Sequence, residues 1–154
     1  MIKIKNIIIF IVCLVPWFVS SLFQFNEEFY NSLTLPFFTP PNAFYGVAWT
    51  LVYICTAISI YKIVTNYKLE DLKRYFKILV INYLFNQSFT LVFFTLENTF
   101  LGFISCLGTF ISTLFLYEET TNSDEKSTKY LNPYVLLSLF ATVLSLTIYI
   151  LNAR

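Results

Sequence analysis

The sequence has no histidine, and only 12% of its 154 residues are charged against 57% hydrophobic. A soluble domain usually carries about 25% charge. The missing histidine removes the commonest general base and the usual haem and metal ligand. The nine Asp and Glu residues all fall in predicted loops or at helix ends. That leaves no interior carboxylate for acid–base chemistry, a proton relay or a voltage sensor. The three cysteines, Cys13, Cys55 and Cys106, lie scattered inside apolar runs. An odd, scattered set is no disulfide framework, so they read as small packing residues. A net charge of +1 provides no basic field for nucleic acid. No metal or resident cofactor is expected.

Charge is also placed unevenly. Lys5 to Glu27 encloses 21 uncharged residues, Lys77 to Glu97 encloses 19, Glu97 to Glu118 encloses 20, and Lys129 to Arg154 encloses 24. A helix needs roughly 20 apolar residues to cross about 30 Å of hydrocarbon, so each run predicts one span. The run from Glu28 to Lys62 encloses 33 residues, including Pro36, Pro40 and Pro41, and predicts a loop followed by a span. A charge at the bilayer centre costs about 2.5–3.5 kcal/mol on insertion scales; five successive runs without one indicate a membrane. The expected fold is an all-α integral membrane protein, a five-transmembrane-helix bundle in a single domain over 1–154. The spans are expected near 6–24, 42–65, 75–95, 99–117 and 130–152, with a long lid loop at 25–41. Glu118 to Lys129 reads as a second solvated loop. The first apolar run continues past Ser20 and Ser21 through Leu22 and Phe23 without an A-x-A site, so it reads as a retained span and not as a cleaved signal peptide.

Orientation follows from the basic residues. Lys3, Lys5, Lys62, Lys68, Lys73, Arg74, Lys77, Lys126 and Lys129 all fall on one side of this layout, and only Arg154 falls on the other. This places the N-terminus inside, and the C-terminus and first loop outside. The Ile, Asn, Lys and Phe bias suggests an AT-rich bacterial genome and a plasma membrane.

Three groups of residues are candidates for function. Tyr45, Trp49 and Tyr53 recur every four residues and share one helix face. Asn82 and Asn86 stand four apart, with Gln87 and Thr90 beside them. Amides in lipid need partners, so these point into the bundle, either as helix–helix glue or as ligand contacts. Gly102, Ser105, Cys106, Gly108, Thr109, Ser112 and Thr113 crowd the fourth span and suit close packing, within the bundle or against a second copy. Leu35-Pro36-Phe37-Phe38-Thr39-Pro40-Pro41 combines fixed φ angles with bulky apolar groups, as a stiff cover would. Pro41 stands where a helix tolerates proline.

These residues resemble a known family. The run Pro36-Phe37-Phe38-Thr39-Pro40-Pro41 through Trp49-Thr50-Leu51-Val52-Tyr53 is similar to the P-x-W-x-P-P…W-t-x-L-Y region of the tryptophan-rich sensory (TspO) proteins, bacterial relatives of the mitochondrial translocator protein. Asn86-Gln87-Ser88-Phe89-Thr90-Leu91-Val92-Phe93-Phe94 resembles their N-x-x-W-S-x-L-F-F stretch. Pro133-Tyr134 through Phe140-Ala141-Thr142 to Leu151-Asn152 resembles their last helix. The resemblance implies a five-helix bundle with a hydrophobic pocket under loop 1, binding of porphyrins, sterol-like molecules and isoquinoline- or benzodiazepine-type ligands, and a homodimer. By position it implies ligand contacts from Tyr30, Phe38 and Pro40 in the lid, Trp49, Asn86 and Phe89 in the second and third spans, and Leu137, Ala141 and Ser145 in the fifth. Tyr45, Tyr53 and Asn82 join them from the residue pattern.

This sequence departs from the family where tryptophans are replaced by Phe38, Phe89 and Leu137, and an asparagine by Ser145. Only Trp17 and Trp49 remain. Binding should outlast any photochemistry, because Phe and Leu still supply apolar surface. The leading expectation is a membrane receptor or sensor for porphyrins and other planar hydrophobic ligands. The alternatives are light-dependent porphyrin breakdown using Trp49, porphyrin or haem transport, and a scaffold without ligand. Leu144, Tyr149 and Arg154 also fit a loose sterol pattern.

Overall fold

A computed structural model describes residues 4–153, and every regular element among them is helical. Lys3 and Arg154, used above for orientation and the sterol pattern, lie outside the described residues. The first helix, α1, runs Ile4–Leu14 and then tightens into a 3-10 helix over Val15–Leu22. Pro16 explains the change, since it has no N–H to continue the α-helical ladder. α2 is a short helix, Glu27–Ser32, inside the stretch expected to be loop. Its cap is Asn26, whose side chain accepts from Phe29 N at 2.9 Å, and Glu27 and Glu28 occupy the favourable first turn.

α3, Asn42–Asn66, begins directly after Pro41. α4, Lys73–Thr90, ends in a π-helical turn over Leu91–Thr95, followed by Glu97 at a positive φ of 50°. Asn98 then caps α5, Thr99–Thr128, by accepting from Leu101 N at 2.9 Å. A 3-10 turn at Lys129–Leu131 leads into α6, Asn132–Asn152.

The stretch 118–128 corrects the expectation of a loop: it continues α5. Thr120 and Thr121 donate to the carbonyls of Leu116 and Tyr117 at 2.7 and 2.8 Å, and Glu119 pairs with Arg74 of α4 at 3.1 Å. Polarity there marked the end of the apolar span, not the end of the helix. The helix breaks at Asp124, with φ −151° and ψ 94°. The Asp124 carboxylate accepts from Lys126 N and from the Ser127 hydroxyl, capping the final turn.

The stretches Ile4–Leu22, Asn42–Asn66, Leu69–Thr95 and Thr99–Asn152 are each long and apolar enough to cross a membrane. The last of these folds back on itself. Thr142 of α6 donates to Cys106 O of α5 at 3.1 Å, while Asn82 of α4 joins Thr113 of α5 to Tyr134 of α6. α5 and α6 therefore run antiparallel. Large apolar residues such as Ile8, Val12, Leu84, Phe115 and Leu136 face outward, as lipid-facing residues do.

The small residues of α5 are used inside the chain. A side chain at Gly102 would run into the Phe93 ring, and one at Gly108 into Phe85, both on the α4 segment. Ser105 donates to Phe85 O at 2.6 Å. One core cluster gathers Trp17, Val52, Tyr53, Tyr75, Leu116 and Tyr134. The other gathers Tyr30, Phe93, Leu144 and Ile148 under α2 and the loop that follows it.

Candidate functional site

A cavity of about 500 Å³ lies between these two clusters. Its size falls within the usual range for small-molecule sites, about 300–1,000 Å³. α3 contributes Tyr45, Trp49 and Tyr53, because a four-residue spacing keeps them on one face. The α4 segment contributes Asn86, Phe89, Phe93 and Phe94; α6 contributes Ala141, Leu144, Ser145 and Ile148. Tyr30 of α2 closes one end, while exposed Ser21, Asn42, Gly46 and Thr50 mark the rim. No charged side chain lines it among the described residues.

The aromatic wall is ordered by ring–ring contacts. Trp49 and Tyr53 have centroids 5.8 Å apart, and Trp17 stacks on the far side of Tyr53 at 5.6 Å and 26°. Phe89 stacks on Phe93 at 5.1 Å and 18°. Offset and edge contacts of this kind are worth about 0.5–1.5 kcal/mol each beyond burial, so the wall is pre-formed.

The orientation of Asn86 is fixed by its neighbours. Its Oδ1 accepts from Tyr53 OH at 3.0 Å and from Gln87 Nε2 at 2.7 Å. With the oxygen held, its Nδ2 donors are free of protein acceptors among the described residues, and Asn86 lines the cavity. Asn82 is different. It is fully buried, donates to Thr109 O, Ser112 Oγ and Thr113 Oγ1 at 2.9–3.2 Å, and accepts from Tyr134 OH at 2.8 Å. It binds three helices together and does not reach the cavity.

The stretch 25–41 is fastened near both ends. Asn26 Nδ2 donates to Glu97 Oε1 at 2.8 Å. At the other end Asn152 forms a two-bond clasp with the Thr34 backbone, accepting from its N–H at 2.9 Å and donating to its carbonyl at 3.0 Å. Phe38 packs within the second core cluster, 6.5 Å from the Phe140 ring, and Pro40 is half-buried beyond it.

Of the residues expected at a site, Tyr30, Tyr45, Trp49, Tyr53, Asn86, Phe89, Ala141 and Ser145 line the cavity. Phe38, Pro40, Asn82 and Leu137 do not; Leu137 packs against the first core cluster instead. Of the sterol pattern, Leu144 lines the cavity while Tyr149 packs on Phe100 of α5. The sequence reading missed a whole wall: Phe18, Ser20 and Ser21 from the 3-10 part of α1, and Phe23 just after it. Pro16 was the available signal. It also missed Cys106, Thr109 and Ser138, small residues whose facing depends on helix packing.

Residues 7–151 match the TspO/MBR family. The chain belongs to that family. A tryptophan-rich protein TspO of Bacillus cereus is 36% identical over 151 residues, covering 97% of this chain and 98% of the relative. A tryptophan-rich protein TspO of Archaeoglobus fulgidus is 32% identical over 145 residues, covering 88% and 89%. The membrane protein YtaB of Bacillus subtilis is 31% identical over 131 residues, covering 85% and 84%. TspO/MBR membership, bacterial relatives and the apolar helices together identify an integral membrane protein of bacterial type. They support a membrane sensor or receptor of the TspO kind.

Proposed function

We propose that this TspO/MBR protein is a membrane receptor or sensor that binds planar hydrophobic molecules, porphyrins first among them, in the cavity under the lid. The observation that carries the reading is the cavity itself: aromatic-walled, without charge among its described lining residues, bordered by Tyr30 of α2 and offering an oriented amide donor pair at Asn86. A large apolar ring system gains burial against Tyr45, Trp49, Phe89 and Phe93. Porphyrin carboxylates would meet no cation among the described lining residues and therefore point to the rim and water.

The antiparallel pairing of α5 and α6 supports five crossings, with Lys62, Lys73, Arg74, Lys77 and Lys129 near the inner face of a plasma membrane. The N-terminus then lies inside, and the C-terminus and lid outside. A homodimer would have to use outward faces, because the small residues of α5 are already packed within the chain.

A second reading is light-dependent porphyrin breakdown. Trp49 favours it, since it lines the cavity and leads through Tyr53 to Trp17. Protoporphyrin titration into the purified protein, in the dark and then under illumination, separates the two. The Trp49→Phe protein is titrated beside it, with affinity read from the porphyrin signal. Saturable binding with a spectrum stable in light supports the receptor. Spectral loss that depends on Trp49 supports the enzyme, and absence of saturable binding removes both.

A further inference from the structure

The wall that α1 gives to the cavity is not held by α1 alone. Pro16 O and Ser20 N are four residues apart and would form one rung of an α-helix. In this protein each is met by α4. Tyr83 OH donates to Pro16 O at 3.0 Å, and Gln87 Oε1 accepts from Ser20 N at 2.7 Å. Gln87 Nε2 also donates to Trp17 O at 3.1 Å. Tyr83 and Gln87 are themselves four apart on α4, so both reach the same stretch of α1. Neither lines the cavity, whereas Phe18, Ser20, Ser21 and Phe23 of the stretch they hold all do.

We propose that Tyr83 and Gln87 are positioning residues for ligand recognition, which keep α1 in its 3-10 form and thereby set the shape of the cavity wall from Phe18 to Phe23. The proposal rests on the reading that the cavity binds a planar apolar ligand. The physical driver is the membrane, where backbone N–H and C=O groups must find partners. Without the Gln87 amide, Ser20 N is left with only the poorer i→i+3 bond that a 3-10 helix offers, and rewinding into an α-helix gives it the better-aligned Pro16 O. A 3-10 helix rises about 2.0 Å per residue against about 1.5 Å, and turns about 20° more per residue. Rewinding Val15–Leu22 would shorten those eight residues by about 4 Å and rotate Phe23 by about 60° relative to Ser20. Phe18 and Phe23 would then leave the wall. Gln87 also donates to Asn86 Oδ1, so the same amide that holds the wall helps orient the donor facing the ligand.

The test uses Gln87→Met, which keeps side-chain length without the amide, and Tyr83→Phe, which removes one hydroxyl and remains informative if Gln87→Met fails to fold. Dark protoporphyrin affinity and a small bicyclic ligand's affinity are measured together, beside backbone hydrogen exchange of the Val15–Phe23 region. The expected result is weaker porphyrin binding, about ten-fold for Gln87→Met and about three-fold for Tyr83→Phe. The bicyclic ligand should lose less, exchange should change chiefly in Val15–Phe23, and the double variant should lose less than the two singles combined. Unchanged porphyrin affinity in a folded variant, beside saturable binding by the unsubstituted protein, would overturn the positioning role alone. So would an equal loss for both ligands with exchange raised in every helix. No saturable binding by the unsubstituted protein would instead overturn the ligand reading on which the proposal rests.

Discussion

Asn82→Leu should cost stability without costing ligand affinity, and its magnitude can be worked from the contacts. Both Asn82 and Tyr134 have no exposed surface, and the Tyr134 hydroxyl donates to Asn82 Oδ1. Ser112 and Thr113 keep their own backbone acceptors, Gly108 O at 2.6 Å and Thr109 O at 2.7 Å, so the loss centres on Tyr134. An orphaned buried hydroxyl costs about 1–3 kcal/mol, and interhelical side-chain bonds average about 0.6 kcal/mol each. The expected total is about 2–3 kcal/mol. Tyr134→Phe added to Asn82→Leu removes the orphan, so the double variant should be little worse than the single, with a coupling of about 1–2 kcal/mol. Reversible unfolding in mixed micelles measures all four corners of this cycle, and a porphyrin titration accompanies it. Additive costs would refute the hydrogen-bonded node. A fall in affinity at unchanged stability would show that Asn82 serves the ligand and not the helix packing.

Gly102→Ala should destabilise by about 1–3 kcal/mol and weaken porphyrin binding, because the new methyl meets the buried ring of Phe93. Gly108→Ala should cost much less, since the Phe85 ring it meets is exposed enough to turn away; thermal unfolding of the two proteins side by side checks the contrast. Asn152→Leu removes both bonds of the lid clasp to Thr34 and should speed porphyrin dissociation about five-fold with little change in stability. Stopped-flow release measures this, and an unchanged off-rate would mean that the lid does not gate exit.

Much of this architecture could be read from where charge is missing. The gaps between charged residues located the apolar helices, and the four-residue spacing of Tyr45, Trp49 and Tyr53 gave one wall of the cavity. Two failures have physical causes. The stretch 118–128 is polar, and polarity reports water contact without reporting backbone shape; Glu119 and the threonine hydroxyls continue the helix beyond the apolar span. Asn82 and Asn86 look alike in sequence, four apart on one helix. One is saturated by partners on α5 and α6 while the other is turned toward open space by Tyr53 and Gln87. That distinction depends on partners far along the chain. The wall from α1 was missed for a related reason: Pro16 signals a break in the ladder, but Tyr83 and Gln87, about 67 residues away, decide what the break becomes.

The central claim is that the ligand occupies this cavity, and Ala141→Phe tests it most directly. Ala141 is a small lining residue on α6, so a phenyl ring there fills ligand space while leaving the Asn82 node and the lid clasp in place. In a dark protoporphyrin titration we expect saturable binding by the unsubstituted protein and a loss of at least about ten-fold in affinity, or about 1.4 kcal/mol, in the Ala141→Phe protein, with its thermal unfolding little changed. Undiminished affinity in a folded Ala141→Phe protein would contradict the account and place the ligand outside this cavity.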